Sequence, residues 1–206
     1  MRPATGKDDT QPSLQRPCHH RVPAGFVSLR TVPGIRLDIR YHTRNNFMRR
    51  PLPGYGAPGA WLIAPAARAL AKVQRDLAPR GLGLWIFDAY RPRRATQAMV
   101  SWARKANPAL IGPYIGARSL HNNGIAVDLT LYRRATGKPL DMGSAFDAFS
   151  TRSHTRNATG AALQNRLRLK QAMARRGFKP YAAEWWHFHY PTAARPRDVP
   201  YGCAER

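Results

Sequence analysis

From Ile35 to Tyr41 the apolar Ile35, Leu37, Ile39 and Tyr41 alternate with Arg36, Asp38 and Arg40, a period of two that predicts a half-buried strand. Between residues 65 and 78 the period changes. Ala66, Ala69, Leu70, Val73 and Leu77 recur at helical spacing, Pro65 suits a first turn and Gly81 lies just beyond the end. LGLWIF (82–87) reads as a buried strand, and Pro92 opens a second helix running to about Lys105. Residues 107–119 form a loop, and GIAVDLTLY (124–132) is a further clear strand. A long irregular stretch leads to a basic amphipathic helix over 159–176, with Leu163, Leu167 and Met173 inward and Gly177 closing it. EWWHFHY (184–190) is a last, aromatic-rich strand. Without an internal repeat or a regular βαβ rhythm, the pattern predicts an α+β domain: a small, mainly antiparallel sheet with helices packed on it.

Composition narrows the picture. The 206 residues suffice for one sizeable core, and 43% hydrophobic with 22% charged residues excludes collagen-like, coiled-coil and wholly disordered chains. Residues 1–24, rich in Pro and polar groups without periodicity, read as a mobile leader, and residues 25–206 as the domain. No apolar run approaches the ~20 residues of a membrane-spanning helix, and the first residues do not resemble a secretory signal, so a cytoplasmic location is expected. A disulfide between Cys18 and Cys203 would instead favour an oxidising space such as the periplasm.

The net charge of +23 nominally suggests a polyanionic partner. However, 28 of the 34 cations are Arg, spread along the chain without a basic tail, as a GC-rich coding sequence would give. Nucleic acid is disfavoured because no aromatic-and-basic recognition motif is present, while electrostatic association with an anionic cell wall is compatible with the charge. Acids are scarce. Glu184 and Glu205 are the only two glutamates, so a carboxylate in an apolar stretch calls for an explanation.

Asp128 is such a carboxylate, sharing one strand face with Ala126 and Thr130 while Ile125, Val127, Leu129 and Leu131 take the other. If both faces are covered, it needs a counter-charge or a metal. His121 precedes it by seven positions across the turn-forming Asn122-Asn123-Gly124, and Glu184 lies three residues before His187. Two His and one carboxylate leave a tetrahedral zinc one open position for water, and a Glu beside it can take that water's proton. Strand alternation raises an objection, since 184 and 187 face opposite sides whereas His187 and His189 share one. Either Glu184 sits at a kinked strand entry, or His187 and His189 ligate as an H-x-H pair.

The segments FDAYRP (87–92), SLHNNGIAVDLTLY (119–132), DMGSAFD (141–147) and EWWH (184–187) resemble, in order and spacing, the zinc-dependent D-alanyl-D-alanine dipeptidases associated with vancomycin resistance, whose wider group includes peptidoglycan D,D-carboxypeptidases. The resemblance runs from about Gly25 to Tyr190. It implies one zinc per chain held by His121, Asp128 and His187, with Glu184 as general base and Arg91 stabilising the oxyanion of a tetrahedral intermediate. It further implies that Asp147 holds the free amino group of a small dipeptide substrate and that Tyr41 and Ser119 line the pocket, Ser119 toward the terminal carboxylate. His189 then becomes structural. His154 is expected to support the site or the fold, and His19, His20 and His42 to lie in the leader or at the surface.

Overall fold

The computed structural model describes residues 22–202, so most of the expected leader, His19, His20, Cys18 and Cys203 lie outside the described residues. Its elements in chain order are β1 (Phe26–Ser28), β2 (Arg36–Leu37), β3 (Trp61–Ile63), α1 (Ala64–Leu77), β4 (Leu82–Asp88), α2 (Arg93–Ala106), β5 (Ala126–Arg133), α3 (Gly160–Ala174), β6 (Lys179–Tyr181) and β7 (Glu184–His189). β1 and β3 form an antiparallel pair, and the other five strands make a sheet in the order β2-β4-β5-β7-β6. Only the β2–β4 pairing in that sheet is parallel. This is the mainly antiparallel α+β domain that the periodicity predicts. No helix of the described residues is long and apolar enough to cross a membrane.

Each helix follows from its apolar spacing. α1 buries Ala66, Ala69, Leu70, Val73 and Leu77, and after one short 3-10 turn Gly81 ends it with φ +69°. In α2, which follows the fixed φ of Pro92, Ala95, Met99, Val100 and Ala103 are buried. α3 departs from the expected face: Ala162, Arg166, Leu169, Ala172 and Met173 are buried, while Leu163 and Leu167 are only half-buried. The reason is the Arg166 guanidinium. It donates to the carbonyls of Met142 at 2.6 Å, His154 at 2.7 Å and Arg152 at 3.0 Å, stitching the long 142–154 loop onto the helix. A charged group that satisfies three carbonyls is held inside at the expense of the leucines.

The strand expected over Ile35–Tyr41 is much shorter, covering only Arg36–Leu37. Beyond it Asp38 pairs with Arg40 at 2.7 Å, and Arg40–His42 curl into a 3-10 turn that puts Tyr41 in the core. His42, expected at the surface, is half-buried, and its Nδ1 lies 2.7 Å from the Tyr55 carbonyl.

The central strand positions the site. Every residue of β5 from Ala126 to Tyr132 is buried, so both faces are covered. Its register against β7 places Asp128 directly opposite His187, on the same face of the sheet. On the other side β4 carries an extra residue between Ile86 and Asp88, and this bulge brings Asp88 opposite Asp128. Two carboxylates thus face each other across adjacent strands, an arrangement that a cation between them stabilises.

Candidate active site

His121 reaches Asp128 through a tight turn. Leu120–Asn123 form a 3-10 turn that closes on Gly124 at φ +69°, where an added Cβ would come within 2.4 Å of the Phe26 ring. The turn is tied to the β4–α2 junction: Arg91 donates its backbone N–H to the His121 carbonyl at 3.1 Å, and the Asn122 amide donates to the Arg91 carbonyl at 2.8 Å. These bonds hold the segments FDAYRP and SLHNNG in one rigid corner.

The His121 ring is buried, and its Nδ1 lies 2.6 Å from the Ala89 carbonyl. A carbonyl only accepts, so Nδ1 carries the proton and Nε2 presents a lone pair. That lone pair is 3.1 Å from Nδ1 of His187 and 3.3 Å from Oδ1 of Asp128, and the latter two atoms are 3.0 Å apart. One proton on His187 can serve only one of its two acceptors, whereas a cation serves all three atoms. The edges match the face of a tetrahedron with bonds of about 2.0 Å, whose corners lie about 3.3 Å apart. The donor set therefore fits a divalent metal with nitrogen and oxygen ligands, and these three residues form the metal-competent group among the described residues. The H-x-H alternative is not what the chain builds, because His189 pairs with Ala126 and is absent from that group.

Glu184 opens β7 and is buried. The β6–β7 register jumps from Pro180↔Phe188 to Tyr181↔Glu184, so Trp185–His187 bulge out of the ladder. This kink overrides strand alternation and lets Glu184 and His187 line the same cavity. Burial pushes the Glu184 carboxyl well above its ordinary range, with the charges of Asp128 and Asp147 acting in the same direction.

Arg91 bridges the facing carboxylates. Its Nε and a terminal nitrogen contact Asp88 at 2.9 and 2.8 Å, and that nitrogen is 3.6 Å from Asp128. Burial opposes its charge, yet Asp88, Tyr41, Tyr55 and Asp128 together keep it protonated beyond an ordinary arginine. Its guanidinium carbon lies 4.9 Å from the centre of the Tyr41 ring. The Tyr41 hydroxyl in turn donates to the Asp147 carboxyl, at 3.1 and 3.2 Å from its two oxygens. Asp147 has φ +60°, a conformation that Asp tolerates better than most residues. Burial and the Asp128 charge push its carboxyl well above the ordinary range.

Arg91, His121, Asp128, His187, Glu184, Asp147, Tyr41 and Ser119, all eight residues singled out from the sequence, line one cavity of about 210 Å³. Residues 23–204 match the M15 peptidases, in the family described as D-Ala-D-Ala dipeptidase. The chain belongs to this D-Ala-D-Ala dipeptidase family. It is 36% identical to the D-alanyl-D-alanine dipeptidase of Enterococcus faecium over 196 residues, covering 86% of this chain and 94% of that one. The enzyme of the same name from Streptomyces coelicolor is 36% identical over 80% of this chain and 90% of its own. That from Escherichia coli is 37% identical over 79% and 82%.

Several residues that shape this dipeptidase-family site escaped the sequence. Asp88 is not among the residues singled out from the sequence, yet it bonds Arg91, accepts from the Tyr55 hydroxyl at 2.6 Å and lies 3.4 Å from Nδ1 of His121. Its signal was a carboxylate ending an apolar strand. Tyr55 and Tyr181 sit in segments whose patterning gave no hint of the cavity. Tyr181 lines it while donating to the Pro113 carbonyl at 2.8 Å, which pins the 107–119 loop beside the site. His154 lies outside the cavity lining, with Nε2 3.4 Å from the Tyr114 hydroxyl.

Proposed function

We propose that this protein hydrolyses the dipeptide D-Ala-D-Ala to two molecules of D-alanine, with one zinc ion held by His121, Asp128 and His187. The observation that carries this reading is the convergence of that triad, a buried glutamate, a fixed guanidinium and a second carboxylate on one small cavity. Zinc bound there would supply Lewis acidity, polarising a carbonyl and acidifying a water enough to attack it near neutral pH.

The protein's own groups then divide the remaining work. Glu184, whose carboxyl is raised by burial, is suited to take a proton from the attacking water and return it to the leaving amine. Arg91, locked by Asp88, presents fixed positive charge where negative charge develops on the carbonyl oxygen, and it needs no reorganisation to do so. Asp147, oriented by Tyr41, offers an anion to the substrate's free ammonium group. Ser119 stands before the Leu120–Asn123 turn without capping it, which leaves its hydroxyl for the other end of the dipeptide. The stereochemistry is carried over from the substrate named for the relatives. A cavity of about 210 Å³ is below the ~300–1,000 Å³ typical of clefts for drug-sized ligands and suits a dipeptide.

The role of Asp147 makes the reading testable. Acylation removes the ammonium charge, so N-acetyl-D-Ala-D-Ala is expected to be cleaved about 10- to 150-fold less efficiently than D-Ala-D-Ala, the loss of a buried charged hydrogen bond. Equal or better cleavage of the acylated compound would overturn the dipeptidase assignment in favour of a carboxypeptidase acting on longer wall peptides.

A further inference from the structure

We propose that Arg118 is a specificity-determining residue that binds the C-terminal carboxylate of the substrate, so that the site demands a free acid at that end. The inference rests on the dipeptidase reading and assigns the half of the substrate that it leaves without a counter-charge. At neutral pH a free dipeptide is a zwitterion. Asp147 answers its ammonium group, but the same cavity is lined by Glu184, which in its ionised form as the base repels an entering carboxylate. A neutral hydroxyl such as that of Ser119 does not offset this repulsion.

Two arginines line the cavity, Arg91 and Arg118. Arg91 is already committed: Asp88 holds it through Nε and one terminal nitrogen at 2.9 and 2.8 Å, the other terminal nitrogen lies 3.3 Å from the Met99 sulfur, and its remaining charge is assigned to the oxyanion. Arg118 takes part in none of the ion pairs found among the described residues. It is exposed and immediately precedes half-buried Ser119, whose own hydroxyl caps nothing. Its guanidinium, with five donors in a planar fork, matches a carboxylate geometrically and neutralises it. The neighbouring hydroxyl can add one further bond. This loop is anchored beside the site through the Tyr181–Pro113 bond, so Arg118 does not have to travel with a mobile segment.

Steady-state kinetics of the zinc-loaded enzyme test this with two substrates, D-Ala-D-Ala and its C-terminal amide, on the wild type, Arg118→Ala and Arg118→Lys. In Arg118→Ala the KM for D-Ala-D-Ala is expected to rise roughly tenfold or more, the loss of a charge-assisted hydrogen bond, with a much smaller change in kcat. The KM for the amide is expected to stay unchanged, and Arg118→Lys to recover part of the loss by restoring charge without the fork. A KM for D-Ala-D-Ala within twofold of wild type in Arg118→Ala would overturn the inference. Equal increases for acid and amide would do so too, because they would mark a general disturbance of the cavity mouth. Failure of the wild type to cleave D-Ala-D-Ala would instead overturn the dipeptidase reading, and this inference with it.

Discussion

Replacing Asp88 by Ala removes the anion on which the geometry of the site depends. Asp88 is fully buried, and three groups meet it within 3 Å: the Tyr55 hydroxyl at 2.6 Å and two Arg91 nitrogens at 2.9 and 2.8 Å. Its loss leaves Arg91, itself only 9% exposed, with the Asp128 contact at 3.6 Å as its remaining ion pair. Breaking a buried pair by deleting one partner costs about 3–5 kcal/mol, because the surviving charge is stranded. For a domain of 150–250 residues each kcal/mol lowers Tm by about 2–4 °C, so Asp88→Ala is expected to melt about 6–20 °C below wild type. The comparison is made on metal-free proteins by thermal unfolding followed with near-ultraviolet circular dichroism, which keeps metal affinity out of the result. Tyr55→Phe removes one bond to the same carboxylate and is expected to cost less, about 1.5–3 kcal/mol, and the double variant less than the sum because the two changes share a partner. A drop of under about 2 °C in Asp88→Ala would refute the argument, for it would mean that the Arg91 charge is neither buried nor dependent on Asp88.

Glu184→Gln keeps the shape of the side chain and leaves His121, Asp128 and His187 untouched, so zinc content should be unchanged while kcat falls by about 10²–10⁴-fold; turnover near wild type would remove Glu184 as the base. Because burial raises the Glu184 carboxyl above its ordinary 4.5, and a base must be deprotonated to work, kcat/KM should fall on acidification at a pH above 4.5. A pH–rate profile flat down to 4.5 would contradict that. Asp128→Ala deletes one corner of the ligand triangle and is expected to lose stoichiometric zinc by elemental analysis, together with the stability that the metal confers by joining β5, β7 and the His121 turn. Full zinc retention in that variant would take Asp128 out of the ligand set.

Much of the fold was legible because it is written in periodicity. β4, β5, β7 and all three helices lie where the apolar spacing put them, within a few residues at their ends. What escaped depends on contacts distant in sequence. β1 and β3 are three residues each, and nothing in Phe26–Ser28 announces a partner at Trp61–Ile63. The strand expected to reach Tyr41 stops at Leu37 because the Asp38–Arg40 pair and the following turn redirect the chain. On α3 the pattern pointed to Leu163 and Leu167, but spacing alone cannot reveal that Arg166 would find three carbonyls in a loop that reads as irregular. For the site, identities were legible and geometry was not. Regular alternation separates Glu184 from His187, and only the β7 bulge brings them to one cavity. Likewise the Phe87 bulge aligns Asp88 with Asp128, which lets Asp88 anchor Arg91 beside the site.

The proposed zinc site of His121, Asp128 and His187 makes hydrolysis of D-Ala-D-Ala depend on the bound ion. Its most direct test is the release of free D-alanine by the purified protein, measured after chelation and again after one equivalent of zinc is returned. Release is expected to be lost on chelation and to recover at a stoichiometry of one zinc per chain. Undiminished release from the metal-free protein, or none from protein shown to contain one zinc per chain, would contradict it.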